Sequence, residues 1–261
     1  MSLEVRHPPS GQSIVIPVDA RLRTVPASAF AALRLPATTP LLPQQTVPLR
    51  LYDPGLRNTV VCRSAIVRSD AVEGKIYYRG IDLENLVQGS SFLEVAYLLI
   101  HGQLPTQLER EAWVDGVMHH TYLHTEIEKQ MATFRYDAHP MGMFIATVSS
   151  LSTCYPEANP ALAGAGIYAI PKPVDSSSPE FRNVVHLRNK QVFRLLGKLP
   201  TIAANTLSHR SGRAFNHPKK TLDYAENFLY MLDKLNEEDG WSPDPRLVKI
   251  FDKLLILGAG A

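Results

Sequence analysis

A mainly α-helical fold with a small β-containing extension at its N-terminus is what this sequence predicts, and three observations carry the expectation. Prolines crowd the first fifty residues (Pro8, Pro9, Pro17, Pro26, Pro36, Pro40, Pro43 and Pro48), which argues against long helices there. From Ser90 onward, Ser, Thr or Asp followed three residues later by Glu recurs as a helix-start signature: Ser91 with Glu94, Thr106 with Glu109, Asp223 with Glu226. Each signature opens a stretch whose apolar residues return at helical spacing. The expected division is an extension with short strands over residues 1–80 and a multi-helical domain over 81–261.

In order along the chain, short strands are expected at Ile14–Val18, Val60–Val67 and Lys75–Tyr78, the last stopped by Arg79-Gly80. The Ser91 signature starts a helix carrying Val95, Ala96, Leu98 and Leu99. Thr106, just after Pro105, starts another with Leu108, Trp113, Val114 and Val117. Pro140 suits the first turn of a third, through Met143, Phe144, Ala146, Val148 and Leu151. Residues 155–180, rich in Pro, Ala, Gly and Ser and without a period, read as a surface loop. Helical spacing returns over Val185–Leu196, and Asp223 opens a helix through Phe228, Leu229, Met231 and Leu232. Ser242-Pro243 is the expected start of the last helix, which runs into Leu254-Leu255-Ile256-Leu257. Four consecutive apolar residues leave no polar face, so this segment is expected to be buried on all sides, by earlier helices, by a partner or by further chain.

Composition narrows the function. With 261 residues, 45% of them hydrophobic, there is material for a core in one or two domains. The 27 Lys and Arg nearly balance the 25 Asp and Glu, a net charge of +2 that supports neither a nucleic-acid partner nor a membrane surface. No apolar run reaches the roughly 18 residues that a membrane span needs. Cys62 and Cys154 are too few for a disulfide framework or a thiolate zinc site and read as small buried residues. A secretory signal is not expected from the first residues, which show no charged start, apolar stretch and small-residue cleavage site. The transit-peptide character of Arg21, Arg23 and Arg34 is interrupted by Glu4 and Asp19. The ending Gly258-Ala259-Gly260-Ala261 is no peroxisomal address, so cytoplasm is expected, with peroxisome and mitochondrion left open.

No Gly-x-Ser-x-Gly elbow, phosphate-binding Gly-rich loop with Lys, or dinucleotide fingerprint after a strand is present, which argues against hydrolase, kinase and dehydrogenase. His120 and His124 stand four apart, as two zinc ligands on one helix would. The metalloprotease glutamate is missing, since residue 121 is Thr, and no third ligand presents itself. With His119 the pair reads as a polar helix face, and no metal is expected. His139 reads as a helix-entrance residue bonding to backbone. Between residues 180 and 220 nine Lys and Arg face a single acid, Glu180. Such a stripe could attract phosphates, but it reads first as a solvated face with a few interface ion pairs.

Seven stretches in register carry a resemblance. They are Leu51–Gly55 (LYDPG), Cys62–Ile66 (CRSAI), Gly74–Ile81 (GKIYYRGI), Ser91–Thr106, Asp137–Met141 (DAHPM), Arg188–Ala204 and Asp223–Leu232 (DYAENFLYML). In this order and spacing the sequence resembles the citrate synthase family, nearest to its eukaryotic, peroxisomal-type branch, from Ile14 to Leu257. The resemblance implies an almost entirely α-helical subunit working as a homodimer, with the active site between a large and a small domain. The implied reaction condenses an acyl-CoA, acetyl-CoA first, with oxaloacetate. An aspartate takes the acyl α-proton, one histidine stabilises the enol and a second protonates the oxaloacetate carbonyl. No metal or redox cofactor is implied.

In the family the apolar run matching Leu254–Leu257 continues into His-Ala-Asp-His-Glu, where this chain reads Gly-Ala-Gly-Ala. The resemblance therefore implies a C-terminally truncated subunit whose catalytic residues lie beyond Ala261, and no catalytic residue is carried over. The small domain is expected to be largely missing and the chain alone to be inactive. Thr201, Asn227 and Phe228 match cleft-side positions and are the candidate substrate-binding residues; His120 is the candidate effector residue. Two alternatives stand beside the first reading: an alkylcitrate synthase using a longer acyl-CoA, and a non-catalytic homologue that pairs with a full-length relative.

Overall fold

The computed structural model describes residues 1–7, 11–21, 24–36, 46–48, 51–55, 59–60, 64–70, 72–158, 179–235 and 240–260. Two compact units divide the chain, Met1–Ser64 and Ala65–Ala261. The first is built from short antiparallel pairs. β1 (Ser2–His7) lies against β2 (Gln12–Pro17) with Leu3 opposite Ile16, and β3 (Arg34–Pro36) against β4 (Thr46–Pro48). Ile16, fully buried, with Phe30 and Leu33 around the 3-10 turn Ala27–Ala32, supplies its apolar interior.

The second unit opens with a three-stranded sheet, β5 (Val67–Asp70), β6 (Lys75–Tyr78) and β7 (Ile81–Asp82). It spans residues 80 and 81, where the sequence suggested a division, and belongs with the helices. β6 has the expected bounds. The strand expected at Val60–Val67 is corrected: Val60 is not in a strand, residues 61–63 lie outside the described set, and pairing starts at Val67 opposite Tyr78. β6 ends at Tyr78, and just beyond it the Arg79 N–H donates to the Ile66 carbonyl at 2.7 Å. Arg79 and Gly80 make the two-residue turn to β7 with φ of 50° and 89°, which glycine adopts freely and arginine at a cost.

Helices follow: α1 (Leu83–Gly89), α2 (Phe92–His101), α3 (Gln107–Met118), α4 (Thr125–Ala132), α5 (Pro140–Cys154), α6 (Pro179–Arg210), α7 (Tyr224–Asp233) and α8 (Pro245–Gly258). The starts of α2, α3 and α7 carry their capping boxes, with Ser91 N–H on Glu94 at 2.8 Å and Thr106 N–H on Glu109 at 2.8 Å. α8 begins at Pro245 rather than at Ser242-Pro243. Asp244 is its cap, accepting from Arg246 N–H at 2.8 Å, and places proline at the first helical position where no N–H is needed.

The expected loop over 155–180 lies mostly outside the described residues; Pro156–Ala158 is a 3-10 turn. α6 is far longer than the periodic stretch suggested and runs straight through Pro200. A proline there leaves the carbonyl four residues earlier without its helical donor. That carbonyl, Leu196, accepts instead from the Tyr224 hydroxyl at 2.8 Å, which ties α7 to α6. Burial drives the Tyr224 hydroxyl pKa upward and keeps it a donor.

α6 is the spine of the core. Its Val192 and Phe193 pack with Leu93, Ala96, Trp113 and Val117 of α2 and α3. Ile202 joins Ile127, Met131 and Leu151 of α4 and α5, and Ala204 joins Tyr230 and Met231 of α7. A fourth cluster, Tyr78, Leu83, Leu86, Val95, Leu98 and Ile256, closes α8 against the sheet and α1–α2. The all-round burial expected for Leu254–Leu257 is corrected: Ile256 is buried, whereas Leu254 and Leu257 are 58% and 50% exposed. Among the described residues no helix is long and apolar enough to cross a membrane.

Candidate functional site

Polar groups converge where the turn between α3 and α4 lies against α6. The close approach requires glycine: a Cβ on Gly197 would stand 2.6 Å from the Val117 carbonyl oxygen and 2.9 Å from that of His120. One residue on, the Lys198 ammonium donates to the carbonyls of His120 at 3.0 Å and Tyr122 at 2.5 Å. Both carbonyls belong to the turn between α3 and α4. The Thr201 hydroxyl donates to the Thr121 carbonyl at 2.8 Å, and Thr121 in turn to Met118 at 2.9 Å. Arg194 stacks over the Tyr155 ring at 4.0 Å and pairs with Glu157 at 2.7 Å.

Electrostatics follow from that packing. Burial, with Arg194 nearby, lowers the Lys198 pKa to about 8, while Cys154 opposes the shift. His120 is held below the ordinary histidine value, first by burial and then by Lys198, Arg194 and Lys190, against a raising bond to the Gly116 carbonyl. The Arg194 partner pulls the Glu157 carboxyl down. The basic stripe is thus corrected in part: Arg194 and Lys198 are buried and fasten helices together, because they occupy the face of α6 that turns inward.

The three histidines do not share a helix. His119 is the C-cap of α3, His120 follows it in the turn, and His124 caps α4, its Nδ1 accepting from Glu126 N–H at 3.1 Å. The His119 Nδ1 bonds to the Asp115 carbonyl at 2.8 Å, and its Nε2 meets Lys220 at 2.5 Å. The zinc-like spacing is an accident of sequence across a helix break. No group of His, Cys, Asp and Glu suited to a metal occurs among the described residues. His139 caps α5 as expected, accepting from Met141 N–H at 3.2 Å. Cys154 is half-buried rather than buried, and Cys62 lies outside the described residues.

The other candidates lie apart. Asn227 and Phe228 are on α7. The Asn227 Oδ1 accepts from Lys219 N–H at 3.0 Å, while its Nδ2 is buried without a partner among the described residues. Phe228 stacks on Phe251 of α8 with centroids 4.8 Å apart. His120 and Thr201 therefore adjoin the same turn, and Asn227 and Phe228 belong to a separate contact. A cavity of about 430 Å³ lies between α2, α3, α7 and α8, lined by Leu93, Arg110, Val114, Tyr224, Lys249 and Asp252 among others. Asp252 accepts from Phe92 N–H at 3.0 Å, and burial raises its pKa, reinforced by Asp223 and Glu94 and opposed by that N–H and Lys253. Sequence reasoning missed Lys198 and Asp252; the available signal was Gly197 inside a helical pattern, which marks close packing.

These elements define a mainly helical scaffold, organised about one long proline-bearing helix and preceded in the chain by short strands. The family model for the citrate synthase C-terminal domain matches residues 55–260. A Dictyostelium discoideum relative named citrate synthase is 45% identical over 252 residues, 96% of this chain and 44% of the relative. A second from the same organism, named peroxisomal citrate synthase, is 50% identical over 211 residues, 81% and 40% of the two chains. Among solved structures, citrate synthase from Pyrobaculum aerophilum superposes with a TM-score of 0.67 at 28% identity, covering 84% of this chain and 52% of that one. The chain belongs to the citrate synthase family, and it spans less than half the length of the curated relatives it matches.

Proposed function

We propose that this chain supplies scaffold to a citrate-synthase-type acyltransferase that condenses acetyl-CoA with oxaloacetate to give citrate. The observation that supports the reading is the family match running through residues 55–260, from the strands to the end of α8. The reaction needs a base for the acyl α-proton and donors for the enol and the oxaloacetate carbonyl. The proposal takes none of these from the described residues. The α-carbon of acetyl-CoA bonds to the oxaloacetate carbonyl carbon, water then adds to the thioester carbonyl and CoA leaves as its thiol, so proton transfers and water balance the reaction and no metal or redox cofactor is proposed. A paired subunit, either a second copy or a full-length relative, is supported by Met141 and Ile145, 55% and 60% exposed on α5. Relatives named peroxisomal and glyoxysomal support the peroxisome over the cytoplasm expected from sequence. Colocalisation of the tagged protein with a matrix marker is the expected result, and diffuse cytoplasmic signal would refute it.

Release of CoA thiol from acetyl-CoA in the presence of oxaloacetate tests the activity. The 261-residue chain alone is expected to give none above the blank. A chimera of the peroxisomal Dictyostelium relative, with its matched segment replaced by this chain's, is expected to release thiol only when both substrates are present. A folded but silent chimera overturns the activity assigned to this scaffold. Turnover by the chain alone overturns the placement of the proton-handling groups.

A further inference from the structure

Two adjacent lysines between α6 and α7, both exposed, find different neighbours. The Lys219 ammonium stands over the Tyr230 ring, 4.5 Å from its centroid. Lys220 meets an imidazole instead: its Nζ lies 2.5 Å from the His119 Nε2. On the far side of that ring, the His119 Nδ1 is 2.8 Å from the Asp115 carbonyl oxygen and 3.0 Å from the Asp115 Oδ1. Both oxygens can only accept, so the ring proton sits on Nδ1. The Nε2 lone pair is then left to face an ammonium that can only donate.

Carboxylate, imidazole and nucleophile thus stand in the order of a hydrolytic triad, with an amine in place of the hydroxyl. The Asp115 Oδ1 is also 3.5 Å from the Lys220 Nζ and favours its charged resting form. The His119 and Lys220 side chains are 50% and 51% exposed, so a reagent in solution can reach them.

We propose that Lys220 is a self-acylation site for acyl-CoA thioesters, with His119 as its base. The Lys220 amine, in the small fraction that has lost a proton to solvent, attacks the thioester carbonyl carbon. The new C–N bond makes that nitrogen strongly acidic, and the His119 Nε2 takes its proton. The C–S bond then breaks, and CoA leaves as a thiolate that receives the proton from His119. An amide remains on Lys220, nothing is oxidised or reduced, and the imidazole regains its first tautomer. The inference shares only the thioester with the condensation proposed above. Self-acylation releases at most one thiol per lysine and needs no oxaloacetate, whereas the condensation turns over and requires it, so either reading can fail alone.

The test is incubation of the 261-residue chain with acetyl-CoA at pH 8, followed by mass spectrometry of acetylation at each lysine over time. A base within a formed active site contributes roughly 10²–10⁴ in rate. On an open surface the expected preference for Lys220 is about tenfold over Lys219, which shares its sequence context. Lys129, paired with Glu126 at 2.8 Å and without an imidazole, is the second control. His119→Gln is expected to bring Lys220 down to the rate of Lys219 and to leave Lys219 and Lys129 unchanged. A merely structural contact would do the reverse, since losing it frees the amine and quickens its reaction. His119→Asn supplies the same readout if the first variant disturbs folding. Equal rates at residues 219 and 220 in the native chain overturn the proposal, as does a Lys220 rate that is unchanged or raised by the loss of His119.

Discussion

Lys198 is 3% exposed, yet its ammonium holds two backbone carbonyls of the turn between α3 and α4, and burial brings its pKa down to about 8. An unfolded lysine titrates near 10.5. Between those two values the unfolded chain binds the additional proton, so this group makes stability rise as pH climbs from about 8 to about 10.5 and is level below 8. Complete expression of a shift of this size corresponds to about 3 kcal/mol. Urea midpoints at pH 8 and pH 10 check it: the rise is expected in the native protein and absent in Lys198→Met, whose midpoint at pH 8 also falls because two carbonyls lose their donor. Equal pH slopes in the two proteins would refute the assignment. Lys190, Arg194 and Lys198 recur every four residues, so the sequence does place them on one helical face. It does not say which way that face turns, because the answer depends on Gly197 letting α3 come close and on Glu157 and the turn carbonyls arriving from elsewhere in the chain. Thr201 is legible only as a match to relatives; its bond to the Thr121 carbonyl reaches across 80 residues.

At the scale of elements, what was local could be read. The boxes at Ser91, Thr106 and Asp223 and the proline start of α5 each depend on four neighbouring residues, and all four helices begin there. α1 and α4, with seven and eight residues, are too short to show a period, and α4 is capped by a histidine outside the usual capping set. The C-terminal anchor of α8 was not legible, since its partner is β6. The Tyr78 hydroxyl donates toward the Ile256 and Leu257 carbonyls, at 3.2 and 3.1 Å, and accepts from Gly260 N–H at 3.1 Å. A Cβ on Gly260 would stand 2.5 Å from the Tyr78 ring and 2.7 Å from Val67. Gly260→Ala is therefore expected to cost about 1–3 kcal/mol through overpacking. Tyr78→Phe should cost about 1–2 kcal/mol through the lost hydrogen bonds. The double variant should fall short of the sum, because both changes act on one contact. Gly258→Ala is the contrast: nothing lies within 4 Å of its added methyl, and a helical alanine should raise stability by up to about 1 kcal/mol. Denaturant midpoints measure all four, and a neutral Gly260→Ala would show that the anchor bears no strain.

Over the whole molecule, the sequence predicted a helical domain behind a small β extension, and that architecture is present, with the sheet β5–β7 joined to the helices through Tyr78 in the core around Ile256. What hydropathy alone left open was how a run of four apolar residues is used. The molecule buries one side of it and presents the other, and it presents a second apolar face at Met141 and Ile145. Exposed faces of this kind bind hydrophobic dyes in a native protein as well as in a loosened one, so the two states must be separated. Trp113 separates them, being 4% exposed, donating to the Leu93 carbonyl at 2.9 Å and packed edge-on to Tyr97. Its near-ultraviolet dichroism disappears if packing loosens. The expected result is enhanced, saturable dye fluorescence with that dichroic signal intact. Leu254→Glu should then lower the dye signal while leaving the urea midpoint within about 0.5 kcal/mol of the parent, because the residue points to solvent. Dye binding accompanied by loss of the Trp113 signal would instead mean that the core does not close in this chain, and the native apolar faces would not be the source.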